Sequence, residues 1–163
     1  MLLTTTIILI VILLLILVQD VKHRAIHYVL PLALFVVGLS RFIYLKQNFN
    51  ELFITSSFLF LVLLGLFIYF SIKSKKIINP INSAIGLGDI IFFIAIIPLF
   101  YSTTYILFFI TGMLFSALCH LLFNKRKELH VPLAGYLSLY LLVFILLNKA
   151  TTTELFYTHN ILW

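Results

Sequence analysis

Residues 2–24 read LLTTTIILIVILLLILVQDVKHR. From Leu2 to Val18 no charge interrupts the run, and then an acid, Asp20, stands just before Lys22, His23 and Arg24. A helix crossing the hydrocarbon core of a bilayer needs about 20 mostly apolar residues, with a working range of roughly 17–25. Leu2–Val18 meets that length. No basic segment precedes it and no A-x-A pattern follows it, so it reads as a retained transmembrane helix rather than a removed signal peptide.

The same pattern recurs along the chain. Five further apolar stretches are predicted to span: Tyr28–Leu45, Leu52–Ile72, Ile85–Tyr101, Thr104–Phe123 and Val131–Leu147. The fourth is interrupted by Gly86, Gly88, Asp89 and Pro98, and Pro98 is expected to kink it. Of the 163 residues 63% are hydrophobic and 10% charged, against roughly 45–50% and about 25% in soluble domains. A soluble fold of this size leaves too much surface in water to hide that apolar content. Long unbroken runs do not alternate as barrel strands do. The sequence therefore predicts an all-α fold, a polytopic membrane helical bundle of about six transmembrane helices. With no internal repeat or linker, residues 1–163 read as a single domain.

Charge sets the orientation. Lys22, Arg24, Lys73, Lys75, Lys76, Lys125, Arg126 and Lys127 fall on one side, while Arg41, Lys46 and Lys149 fall on the other. By the positive-inside rule the larger group is cytoplasmic, and both termini are outside. The net charge of +6 does not indicate nucleic acid, because these residues form short clusters at the bilayer surface and no basic face. Their expected partner is the bilayer and its anionic headgroups. The single cysteine, Cys119, excludes an internal disulfide and a CxxC zinc site, and reads as a buried apolar residue.

Only five acids are present. Asp20 ends the first span and Asp89 begins the fourth, so both arrive at the same depth on the cytoplasmic face. Glu51, Glu128 and Glu154 read as solvated loop charges. Acids at the margin of an apolar span are costly and point to function. Two carboxyls at one depth suggest a dyad sharing a proton: the ionised member takes a proton from water while the protonated one polarises a peptide carbonyl. Gly86 and Gly88, just before Asp89, admit close backbone approach; the simpler reading is a flexible helix start with an acid in the first turn. Asp20, His23 and His27 would share one side of a continuing helix and offer a metal site, although no HExxH motif is present. Gly112 and Ser116 have the small-xxx-small spacing of closely packed helices.

Gly86-Leu87-Gly88-Asp89 resembles the GxGD motif of membrane aspartic proteases. Asp20-Val21-Lys22-His23-Arg24-Ala25-Ile26 is similar to the D-x-[basic]-x-[basic]-x-I stretch of type IV prepilin peptidases. His130-Val131-Pro132-Leu133-Ala134-Gly135 resembles the Pro-containing start of that family's last helix. The resemblance implies that Asp20 and Asp89 are catalytic, with Gly86 and Gly88 as active-site backbone and Pro132 in support. Lys22 and Arg24 read first as topological anchors, and second as supporting residues that neutralise the dyad charge or hold lipid phosphates. It implies no metal and no cofactor. The implied substrates are prepilin-like proteins, whose basic leader is removed at the cytoplasmic face of the inner membrane in pilus, secretion or DNA-uptake systems. Three features depart from the family: Ile91 where a Lys is common, His27-Tyr28 where Pro-Asn is common, and no cysteine-paired methylating domain, so cleavage without methylation is expected. Three other readings remain at this level: a presenilin-like protease cutting within the bilayer, a small transporter or proton pathway using Asp20 and Asp89, and a purely structural or assembly role if the dyad never forms.

Overall fold

The computed structural model describes residues 2–23, 26–75, 86–123 and 132–151, the last five through their backbone only. Six α-helices occupy them: α1 (Leu2–His23), α2 (Val29–Tyr44), α3 (Phe49–Ser74), α4 (Leu87–Ile96), α5 (Ser102–Phe123) and α6 (Leu133–Thr151). No strand occurs among the described residues, and the fold is the all-α membrane bundle that the apolar runs predict. α1, α3 and most of α5 are long and apolar enough to cross a membrane, and the other three are shorter apolar helices.

The buried residues of α1 are Leu9, Ile12, Leu13, Ile16 and Asp20, a stripe at helical spacing. Its opposite face exposes Ile7, Val11, Leu14, Leu15 and Val18. Both faces are apolar because one meets protein and the other lipid. α1 packs mainly against α6 and then α2; α2 carries α4, α5 lies on α6, and α3 lies outermost on α5. The interior is filled by Leu13, Ile16, Leu34, Phe92, Ile96, Leu137 and Leu141 together with a run of aromatic rings. Phe93 and Phe109 have centroids 4.8 Å apart, and Phe108 meets Phe100 at 5.1 Å and Tyr140 at 5.4 Å. At Gly112 a Cβ would lie 2.8 Å from Leu137 Cδ2, and Ser116 is buried, so α5 and α6 meet as closely as their small residues predict.

Two expectations are corrected. The fourth span is not a kinked helix over 85–101: α4 ends at Ile96 and continues as one 3-10 turn, Ile97–Leu99. Pro98 has no N–H to give the Ile94 carbonyl, which accepts from Ile97 instead. The Phe93 carbonyl accepts from the buried Tyr105 hydroxyl at 3.0 Å. Non-helical backbone is tolerated at this depth because Ile97, Pro98, Leu99 and Phe100 are enclosed by protein. The second correction is Glu51. It lies in the first turn of α3, and its Oε2 accepts the Ser102 N–H at 2.8 Å, so it caps α5 rather than standing solvated in a loop. Glu128 and Glu154 lie outside the described residues.

Glu51→Ala should therefore destabilise the bundle by about 1–2 kcal/mol. Unfolding in detergent micelles measures this, and Glu51→Gln, which keeps an acceptor, should lose less.

Candidate active site

Pro132 is buried at the head of α6, and the first N–H bonded back into the helix is that of Tyr136, to the Pro132 carbonyl at 3.1 Å. The preceding N–H groups of the first turn have no partner within the helix, as at any helix start. Two of them are met by side chains from elsewhere in the bundle. The Ala134 N–H donates to Asp89 Oδ1 at 2.9 Å, and the Gly135 N–H donates to Asp20 Oδ2 at 2.6 Å. Successive backbone nitrogens stand about 3 Å apart, which holds these two carboxylate oxygens within roughly 9 Å of each other. The two aspartates that the sequence pairs are thus brought together on one helix start.

Each arrives by its own route. Asp20 continues the buried stripe of α1 one turn beyond Ile16 and is only 5% exposed. Asp89 stands in the first turn of α4, half-buried. Gly86 is the extended N-cap of α4, and its carbonyl accepts the Asp89 and Ile90 N–H groups at 3.1 and 3.3 Å. The Asp89 carboxylate turns back over Gly86, with Oδ2 only 2.9 Å from where a Cβ would sit. The helix-start reading therefore holds at Gly86, where the close contact is with the Asp89 side chain of the same turn. Gly88 differs: a Cβ there would meet Ile26 at 3.5 Å, an ordinary contact.

Lys22 is exposed in the last turn of α1, where its charge favours the helix C-terminus. Arg24 lies outside the described residues. α1 ends at His23, so Asp20, His23 and His27 do not share one continuing helix, and among the described residues no three His, Cys, Asp or Glu side chains group to hold a metal. Ile91 is partly buried in α4, while His27 is exposed and stacks on Tyr28 with centroids 4.8 Å apart.

The site also depends on two groups the sequence reading did not assign, the backbone N–H groups of Ala134 and Gly135. One signal was present. Glycine inside a helix costs about 1 kcal/mol relative to alanine and invites a reason. Here a Cβ at Gly135 would stand 3.0 Å from Asp20 Oδ2 and 3.2 Å from its Cβ.

Fold and site define an all-α membrane protein with two carboxylates gathered at one helix start. The type IV leader peptidase family model matches residues 7–122, and the chain belongs to that family of proteases. The match includes Asp20 and the Gly86–Asp89 motif and stops before α6. No curated protein and no solved structure matches the chain.

Gly135→Ala should lower stability by about 1–3 kcal/mol despite the better helix propensity, because Asp20 or α6 must shift. Gly88→Ala should change it by no more than about 0.5 kcal/mol. Thermal unfolding of the two variants side by side in one detergent checks the contrast.

Proposed function

We propose that this protein is a membrane aspartic endopeptidase with Asp20 and Asp89 as its catalytic pair. Its substrates are prepilin-like proteins, cut to release their basic leader at the cytoplasmic face of the inner membrane. The observation that carries this reading is the seating of both carboxylates on the adjacent Ala134 and Gly135 N–H groups. That arrangement supports hydrolysis without a covalent intermediate, which needs two carboxyls acting on one water and one peptide bond.

In this scheme one carboxylate takes a proton from water as the water oxygen attacks the scissile carbonyl carbon. The other carboxyl gives its proton to the carbonyl oxygen, forming a tetrahedral diol. Collapse of the diol returns one hydroxyl proton to the second carboxylate, re-forms the carbonyl and breaks the C–N bond. The departing nitrogen receives the proton held by the first carboxyl, so the dyad ends as it began. The open first turn of α4 at Gly86 offers backbone room for a substrate that must be extended to be cut. Eight cytoplasmic Lys and Arg residues with both termini outside would put this machinery where a basic leader emerges. Pro132 supports the site by starting α6, and Lys22 and Arg24 anchor α1 at the headgroups.

Co-expression with a prepilin-like protein and mapping of its N-terminus tests the proposal. Wild type should remove the leader in the presence of chelators. Asp20→Asn and Asp89→Asn should each lower the rate by about 10³-fold or more. A requirement for added metal, or cleavage surviving in both variants, would overturn the aspartic mechanism. A cut mapped deep in the substrate's transmembrane helix would instead assign the presenilin-like activity.

A further inference from the structure

α1 and α4 carry the two aspartates, yet they are not among the extensively packed helix pairs; α2 and α6 stand between them. The short segment linking α1 to α2 makes a more direct connection. The His27 N–H donates to the side-chain Oε1 of Gln19 at 3.0 Å, tying His27 to the last turns of α1. Ile26, the preceding residue, is partly buried against the core. Its Cδ1, Cβ and Cγ1 lie 3.5, 3.7 and 3.8 Å from the point a Cβ on Gly88 would occupy. Gln19 immediately precedes Asp20, and Gly88 immediately precedes Asp89.

We propose that Gln19, Ile26 and Gly88 form a strut that sets the separation of the two carboxylates, and that Gln19 and Ile26 are positioning residues. The inference rests on the reading of Asp20 and Asp89 as the catalytic pair. The α6 amides fix one oxygen of each carboxylate, while the strut fixes the backbone from which each side chain springs. Without it, the first turn of α4 is related to the end of α1 only indirectly, through packing on α2 and α6, while each Asp keeps its own amide. The lack of a side chain on Gly88 lets Ile26 reach the α4 backbone at van der Waals distance. Because the interaction of two carboxyls depends steeply on their distance, the strut acts on their shared protonation and leaves substrate binding alone.

Two measurements test it. In a Cys119→Ser background, the Ile26→Cys/Gly88→Cys pair should cross-link in membranes under copper-phenanthroline, because a separation near 3.7 Å lies in the disulfide range of about 3.5–4.5 Å. Mass spectrometry of the proteolysed protein reads the bond, and this readout does not need activity. On a prepilin-like substrate, Ile26→Ala should lower kcat by about tenfold with little change in KM and shift the pH–rate profile. Ile26→Leu should restore most of the rate, and Gly88→Ala added to Ile26→Ala should recover part of it. No cross-link overturns the strut, as does an Ile26→Ala profile unchanged in pH with losses that simply multiply in the double variant. If wild type leaves the leader intact, the protease reading fails while the cross-link still decides the strut.

Discussion

A helix that begins inside a membrane protein brings unpaired N–H groups with it, and lipid offers them no acceptor. At the start of α6 this demand falls on Ala134 and Gly135. The bundle answers with two carboxylates from different helices, Asp20 from α1 and Asp89 from α4. Both bonds are charge-assisted when the acids are ionised, and the positive end of the α6 dipole favours them further. Each aspartate needs the helix start as much as the helix start needs them. The packing of α1 on α6, the most extensive in the bundle, and the bare backbone at Gly135 are what allow the approach.

The same device appears once more. Glu51 of α3 accepts the first N–H of α5, so each acid among the described residues receives a helix-start N–H from a neighbouring helix. Helix capping therefore accounts for any one of these acids by itself. The aspartates are set apart because two of them share one helix start, on adjacent N–H groups. Juxtaposed carboxyls are the arrangement that the proposed two-proton chemistry uses.

Much of this was legible in the sequence, and the reasons are physical. A membrane bundle writes its helices as long apolar runs, so the six helices stand out without any further signal. Charge is so scarce in such a chain that Asp20 and Asp89 announce themselves by position, and the GLGD and DVKHRAI stretches add their family likeness. What escaped reading was carried by groups without a letter of their own. The Ala134 and Gly135 amides are backbone, and only the glycine hinted at a close approach. Glu51 was misread because its acceptor role depends on α5, which follows about fifty residues later. The fourth span ended early because Pro98 cost one bond and the surrounding protein made the 3-10 turn tolerable, a tertiary circumstance no local pattern reports.

The central claim is that one helix start holds both carboxylates, and it is open to direct measurement. Solid-state NMR on protein in bilayers, labelled with 15N at Ala134 and Gly135 and 13C at the aspartate carboxyls, reads the two separations by dipolar recoupling. The account predicts that Gly135 N lies within about 4 Å of Asp20 Cγ and Ala134 N within about 4 Å of Asp89 Cγ. Ordered amides with either carboxyl carbon beyond about 5 Å would contradict it.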